Sequence, residues 1–163
     1  MTTLIAKKKE AKGFTEMEAL IYLAQMLIAI EYMHNQEICH RDLKPDNIFI
    51  DVEKNGIYML KIGDFGSARQ DLLNAISNNL LTPNDFGTPA FLPPEVIKEL
   101  PYNAKFDIWC IGVIFYQLLT LSHPFMKDEK QREKEIKEAI EKNEPFIPET
   151  ISSQSKQLLK KML

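Results

Sequence analysis

The stretch from Ala104 to Leu121 restricts the possible folds of this chain more than any other part of the sequence. Its residues are apolar almost all round a helical wheel, and the main exceptions are Asp107 and Gln117. A helix without a polar face is stable only when the rest of the chain surrounds it. The sequence therefore predicts a domain built round a central, buried helix.

Length and composition agree with a single domain of this kind. The chain has 163 residues, of which 45% are hydrophobic and 26% are charged, as is ordinary for one globular domain. A net charge of −3 gives no reason to expect nucleic acid or a membrane surface as a partner. Cys39 and Cys110 form no Cys-x-x-Cys pair, so we interpret them as buried, reduced thiols. The start of the chain lacks the apolar core of a signal peptide, and we expect a cytoplasmic protein.

A second long helix is predicted to begin after Thr15 and to end near His34. Thr15 and Glu18 form the pattern Thr-x-x-Glu, which is typical of a capping box at the start of a helix. Apolar residues then recur at spacings of three and four, and further apolar residues widen their face, so we expect a largely buried helix. The first set is Leu20, Leu23, Leu27 and Ile30, and the second set is Ile21, Ala24 and Ile28. We interpret His34 as a residue of the helix end and not as a ligand.

Weaker helical patterns occupy much of the remaining sequence. They cover residues 1–12, 94–100, 127–142 and 152–163. The pattern over 127–142 is almost entirely charged, with an inner stripe of Ile136, Ala139 and Ile140, which is typical of a solvated helix. The alternative is that its charged face is a docking surface for a protein partner.

Two short apolar runs lie between the long helices. Ile48 to Ile50 and Tyr58 to Ile62 are joined by a polar turn, which favours an antiparallel hairpin. A hairpin brings the residues before its first strand close to the residues after its second strand. We therefore expect Asp42, Asn47 and Asp64 to lie near one another.

Four motifs in and after the region of this hairpin are specific for one protein family when they are taken together. The run from His40 to Asn47 reads His-Arg-Asp-Leu-Lys-Pro-Asp-Asn, and Asp64-Phe65-Gly66 follows it. Gly87-Thr88-Pro89 and Pro93-Pro94-Glu95 come next. In this order the motifs resemble the catalytic loop, the metal-binding tripeptide and the end of the activation segment of the eukaryotic protein kinases, serine/threonine branch. The resemblance implies a mainly α fold, the kinase-like large lobe of the α+β type: a helical lobe with a short β-hairpin beside the catalytic loop.

The resemblance also implies that residues 1–163 are a partial protein kinase domain. The catalytic loop would be 40–47 and the activation segment 64–95. None of the six glycines forms Gly-x-Gly-x-x-Gly, so the small N-terminal lobe is expected to be absent from this chain. In the family Glu95 would pair with a buried arginine, and no arginine follows Arg132. We therefore expect a chain truncated at both ends, with Glu95 as a buried carboxylate lacking its partner.

The resemblance assigns the chemistry of phosphoryl transfer to a few residues. Asp42 would orient the substrate hydroxyl and accept its proton, and Lys44 would neutralise charge on the γ-phosphate. Asn47 and Asp64 would hold Mg²⁺, which prefers oxygen ligands, and would thereby bind ATP. Phe49 would form the floor of the adenine pocket. The cofactors implied are ATP and Mg²⁺.

Other residues receive regulatory and structural roles from the same resemblance. Arg41 would bind a phosphate on the activation segment, where Ser77 and Thr82 are candidate acceptors. Thr88, like Lys44, matches the serine/threonine branch. Asp107 would accept hydrogen bonds from the backbone of the catalytic loop. The residues expected to be structural are His40, Phe65, Gly66, Glu95 and Asp107.

Two functions remain open from the sequence. The first is an ATP-dependent protein serine/threonine kinase whose isolated chain is weak or inactive, with protein substrates and an upstream activating kinase as partners. The second is a non-catalytic, kinase-like binding module or a gene-model fragment. The intact set of Asp42, Asn47 and Asp64 favours the first.

Overall fold

The computed structural model describes residues 1–9, 13–52, 58–70, 87–126, 131–142 and 145–163. Its α-helices are α1 Thr2–Lys9, α2 Glu16–Asn35, α3 Pro94–Ile97, α4 Lys105–Thr120, α5 Glu133–Lys142 and α6 Ser153–Met162. Its strands are β1 Ile38–Cys39, β2 Ile48–Val52, β3 Tyr58–Ile62 and β4 Arg69–Gln70. The predicted helix-rich fold with a short hairpin is confirmed. Within the described residues, no helix combines the length and the apolar character that crossing a membrane requires.

Helix α4 is the centre of the molecule, as its apolar sequence predicts. Most of its side chains are buried, and α2 and α6 both pack against it. Gly112 allows the close approach of α6, because a Cβ atom at this position would lie 2.9 Å from Cβ of Met162. The main core is formed chiefly by Leu23, Met26, Ile30, Ile111, Ile114, Phe115, Leu118 and Leu159.

The predicted capping box at the start of α2 is confirmed. Thr15 Oγ1 accepts a hydrogen bond from the Glu18 backbone N–H at 3.2 Å, and the Glu18 carboxylate accepts one from the Thr15 N–H at 2.7 Å. Two backbone N–H groups that a helix start would otherwise leave unpaired are thereby satisfied.

The predicted buried face of α2 is partly wrong. Ile21 is 51% exposed, Ile28 is 67% exposed and Ala24 is exposed as well, although all three were expected to widen the buried face. The residues that α2 does bury are Ala19, Tyr22, Leu23, Met26, Ile30 and Met33. These residues follow one helical stripe, and Ile21 and Ile28 lie on another. The sequence contains two apolar stripes, and periodicity alone does not say which one meets α4.

The strands form two antiparallel pairs. Strands β2 and β3 make the predicted hairpin, in which Ile48 is opposite Ile62, and its connecting turn lies outside the described residues. Strands β1 and β4 pair as well, with Cys39 opposite Arg69. The sequence did not indicate this second pair, because two-residue strands are too short to show a period. Helix α3 ends at Ile97, three residues before its predicted end, and α5 begins at Glu133. Residues 127–130 of the predicted helix lie outside the described residues.

We predict that Thr15→Ala lowers the free energy of unfolding by about 1 kcal/mol, because the side-chain cap of α2 is lost. Urea denaturation of the purified chain measures this change. Thr150→Ala is the matched control, since Thr150 is exposed and lies outside the helices. Equal losses in the two variants would contradict the capping assignment.

Candidate functional site

The loop 40–47 is attached to the central helix by one buried carboxylate. Asp107, in the first turn of α4, is fully buried. Its Oδ1 accepts a hydrogen bond from the Arg41 N–H at 2.9 Å, and its Oδ2 accepts one from the His40 N–H at 2.9 Å. The backbone of Arg41 has a φ of 66°, a left-handed conformation that a non-glycine residue adopts at a cost. The two hydrogen bonds to Asp107 stabilise this conformation.

A third hydrogen bond reaches Asp107 from α2. His34 Nε2 donates to Asp107 Oδ2 at 2.9 Å, so the end of α2 is tied to the start of α4. The interpretation of His34 as a simple helix-end residue missed this contact. Asp107 is far from His34 in sequence, and nothing in the local pattern of α2 points to it.

Asp42 lies at the centre of a group of polar side chains. Its Oδ2 accepts a hydrogen bond from Lys44 Nζ at 2.9 Å, and its Oδ1 accepts one from Thr88 Oγ1 at 2.8 Å. Lys44 Nζ also donates to Thr88 Oγ1 at 2.8 Å. Asn47 Nδ2 donates to the backbone carbonyl of Asp42 at 2.8 Å and to its Oδ2 at 3.2 Å. The fold therefore brings Thr88 from more than 40 residues away to three polar residues of the loop 40–47.

The hairpin carries Asp64 to the same edge as Asn47. The Gly63 N–H donates to the Asn47 carbonyl at 3.0 Å, one step beyond the last strand pair. Asp64 is exposed, and its Oδ1 accepts a hydrogen bond from the Gly66 N–H at 3.3 Å. His40 supports this turn, since its Nε2 donates to the Gly63 carbonyl at 3.0 Å. The His40 ring also lies against the ring of Phe65, with centroids 5.2 Å apart, although Phe65 is 52% exposed.

The donor atoms at this edge fit a hard divalent cation. Asn47 directs its amide nitrogen toward Asp42, which leaves Oδ1 as the oxygen that the amide can offer a metal. The exposed carboxylate of Asp64 offers two more oxygens, and Mg²⁺ prefers such ligands. Phe49 is 55% exposed beside them. Its ring passes so close to Gly63 that a Cβ atom there would lie 2.8 Å from it. An exposed aromatic ring at this place fits the flat face of a nucleotide base.

Thr88 reaches Asp42 because of the glycine before it. Gly87 has a φ of 78°, and a Cβ atom at this position would lie 3.2 Å from the Arg41 carbonyl and 2.8 Å from Leu92 Cδ2. Only glycine permits both this backbone conformation and this approach to the loop 40–47. After Thr88 the chain forms a single 3-10 turn, Pro89–Phe91, in which the Phe91 N–H donates to the Thr88 carbonyl at 2.8 Å.

The remaining predicted residues lie further from Asp42. Arg41 is buried, with its Nε donating to the Ser67 carbonyl at 2.7 Å and its guanidinium 3.2 Å from the Tyr102 hydroxyl, a contact that the sequence did not indicate. Glu95 is only partly buried, so the expectation of a buried carboxylate is wrong. Its position near the start of a four-residue helix leaves one side of it open to solvent. Ser77 and Thr82 lie outside the described residues.

One cluster of side chains that could ligate a metal ion occurs within the described residues. His34, Cys39 and Asp107 place their ligand atoms within 4.8 Å of one another. Burial raises the pKa of the Cys39 thiol far above its ordinary value, so the thiol is neutral. The Asp107 oxygens already accept hydrogen bonds from backbone N–H groups and from His34. We therefore interpret this group as a hydrogen-bonded part of the core. Both cysteines are free and buried, as predicted.

Comparison with known proteins agrees with this geometry. The family model for the protein kinase domain matches residues 1–163. The chain is similar to serine/threonine-protein kinase Nek5 of Mus musculus, with 40% identity over 113 residues, which cover 69% of this chain and 17% of that protein. It is also similar to serine/threonine-protein kinase PLK1 of Xenopus tropicalis, with 36% identity over 161 residues, which cover 99% of this chain and 25% of that protein. The chain thus spans a quarter or less of the length of these relatives.

We predict that Asp107→Asn lowers the free energy of unfolding by about 3 kcal/mol. The carboxylate accepts hydrogen bonds from two backbone N–H groups, whereas the amide would direct its own NH₂ donor at one of them. Urea denaturation measures the loss. Asp51→Asn is the matched control, since Asp51 is exposed and pairs with Lys61 on the hairpin surface. The control should change stability by less than about 1 kcal/mol. If both variants behave alike, Asp107 is not the anchor of the loop.

Proposed function

This chain belongs to the protein kinase family, and we propose that it is the large lobe of a serine/threonine protein kinase. The proposed reaction is transfer of the γ-phosphate of ATP to serine and threonine hydroxyls of protein substrates. In this proposal residues 1–163 are part of a kinase domain, with the catalytic loop at 40–47 and the activation segment at 64–95. A cytoplasmic location is part of the same proposal.

The observation that carries the proposal is the hydrogen bond from the Thr88 hydroxyl to Asp42 at 2.8 Å. It supports the proposal because an aliphatic hydroxyl lies within hydrogen-bond distance of this carboxylate, the distance that a general base requires. Each carboxylate oxygen has two lone pairs, so Asp42 can orient a substrate hydroxyl while Thr88 remains in place. The hydroxyl proton passes to Asp42 as the hydroxyl oxygen bonds to the γ-phosphorus and the bond to the ADP oxygen breaks.

Lys44 would act on the same phosphoryl transfer. Its ammonium lies 2.9 Å from the Asp42 carboxylate, so it would be close to a phosphate group that is transferred there. There it would neutralise charge that develops in the transition state. Asn47 and Asp64 would hold Mg²⁺, and Phe49 would contact the adenine. When bound, Mg²⁺ and ATP supply the phosphoryl group and the neutralisation of its charge.

The choice of serine and threonine over tyrosine rests on Lys44 and Thr88. Both residues match the motifs of the serine/threonine branch, and they contact each other at 2.8 Å beside Asp42. The named relatives Nek5 and PLK1 are serine/threonine kinases, which supports the same choice. An upstream activating kinase is a further proposed partner, with Arg41 as the residue that would bind the added phosphate.

We predict that the 163-residue chain alone transfers phosphate weakly or not at all, because its sequence contains no Gly-x-Gly-x-x-Gly phosphate cover. The decisive experiment joins the segment that precedes the matched region of mouse Nek5 to Met1. The measured quantity is Mg²⁺-dependent transfer of γ-phosphate to dephosphorylated casein. In this chimera Asp42→Asn should slow transfer by about a hundredfold to ten-thousandfold, because the general base is lost.

Asp51→Asn is the control for that experiment, since it removes an exposed carboxylate that lies outside the site. It should leave the rate of transfer unchanged. Equal rates for the chimera and its Asp42→Asn variant would overturn the proposed function.

The second candidate function is a non-catalytic, kinase-like binding module. The absence of the phosphate-cover glycines from these 163 residues favours it. A thermal shift experiment separates the two candidates. Stabilisation of the chain by ATP that requires Mg²⁺ and disappears in Asp64→Asn supports the kinase, and its absence in a folded chain that binds a protein partner supports the module.

A further inference from the structure

The turn that follows Thr88 packs against two buried clusters, since Leu92 belongs to the main core and Ala90 belongs to a second cluster. We call residues 88–92 the substrate turn. Beneath it, a second buried cluster is separate from the main core and consists of Ala90, Trp109, Val113, Phe125, Ile136 and Ile140. The rings of Trp109 and Phe125 stack with centroids 5.6 Å apart and planes inclined by 8°. The position of the substrate turn therefore depends on side chains that come from α4, from α5 and from the segment after α4.

His123, in the segment after α4, contacts both this cluster and the substrate turn. Its ring meets the ring of Phe91 edge to face, with centroids 5.5 Å apart and an angle of 89°. Its Nδ1 accepts a hydrogen bond from the Phe125 N–H at 3.1 Å, which fixes the orientation of the ring. Cys110 Sγ donates to the Phe91 carbonyl at 3.2 Å from the other side. Phe91 is thus held by its ring and by its backbone at once.

The ionisation of His123 is set by its surroundings. Burial lowers the pKa of His123 to about 4, and the Ala90 carbonyl acts weakly in the opposite direction. The ring is therefore neutral at pH 7. Since Nδ1 accepts a hydrogen bond, the proton is on Nε2. That nitrogen is buried and lies near the Ala90 carbonyl of the substrate turn, although the contact falls outside ordinary hydrogen-bond geometry.

A histidine at this position does more than fill space, because an apolar ring of similar size would offer no acceptor to the Phe125 N–H. What the histidine adds is the combination of a ring edge for Phe91 and an acceptor for the Phe125 N–H. Together these contacts orient one aromatic ring against the substrate turn.

We propose that His123 is a positioning residue for the protein substrate. By holding Phe91 it holds the Thr88–Phe91 hydrogen bond, and through that bond it keeps the Thr88 hydroxyl on Asp42. Its ring contacts are with Phe91 and Phe125, which both lie outside the hairpin that carries the proposed nucleotide residues. Its effect therefore falls on the substrate turn. This inference rests on the proposed function for its substrate, but its geometry can be tested separately.

Two variants of the 163-residue chain each remove one of the two contacts of His123 and keep the other. His123→Asn keeps an acceptor for the Phe125 N–H but removes the ring, and His123→Phe keeps a ring edge against Phe91 but removes both nitrogens. Amide hydrogen exchange at Phe91 and Leu92 measures the order of the substrate turn, and exchange at Gly63 reports on the hairpin in the same sample. The dissociation constant for fluorescein-labelled, dephosphorylated casein measures substrate binding.

We expect His123→Asn to speed exchange at Phe91 and to weaken casein binding, each by about threefold to tenfold, as the loss of one edge-to-face aromatic contact implies. Exchange at Gly63 should stay unchanged. His123→Phe should restore both properties only in part, because it keeps the ring edge against Phe91 and loses the acceptor for the Phe125 N–H. A general loss of stability would not give this local pattern or this rescue.

Ile30→Val is the matched control, because it weakens the main core at a residue of α2 and leaves the contacts of His123 in place. If Ile30→Val speeds exchange at Phe91 as much as His123→Asn does, or if His123→Asn leaves exchange at Phe91 unchanged, the positioning proposal is overturned. If the parent chain does not bind casein, that result counts against the proposed function. The exchange measurements then decide by themselves whether His123 holds the substrate turn in place.

Discussion

The site depends on the burial of one carboxylate, that of Asp107. A charge placed inside a core is tolerated only when hydrogen-bond donors surround it, and here the donors are the backbone of His40 and Arg41 and the ring of His34. The same bonds hold Arg41 in a left-handed backbone conformation that it would otherwise leave. The central helix therefore does more than fill the core. It determines where the loop 40–47 turns, and so where Asp42 points.

Three elements of the fold meet at Asp42. The loop 40–47 is fixed by the main core through Asp107, and the hairpin brings Asn47 and the backbone before Asp64 to one edge. The substrate turn brings Thr88 from a third direction and packs on the main core through Leu92 and on the second core through Ala90. The position of the Thr88 hydroxyl at Asp42 therefore depends on both cores.

Much of the fold could be predicted because its signals are local. The capping box of Thr15 and Glu18 and the apolar sequence of α4 require only near neighbours along the chain. The exposure of Ile21 and Ile28 could not be predicted, because two apolar stripes on one helix look alike until a partner helix is chosen. The contacts of His34 with Asp107 and of His123 with Phe91 join residues that are distant in sequence, so no spacing rule reveals them. The roles of Asp42, Lys44, Asn47 and Asp64 come from motif resemblance and stay predictions, although the fold places Lys44 and Asn47 against Asp42.

The second core also explains why α5 is stable as a helix. Ten residues are too few for a stable isolated helix in water, and the exposed ion pairs along α5 contribute little. What stabilises α5 is the burial of Ile136 and Ile140 beside Ala90 and Phe125. The same burial supports the substrate turn, so α5 and the turn share one source of stability. A partner that binds the charged face of α5 and shifts the helix would therefore also shift the turn that holds Thr88 on Asp42.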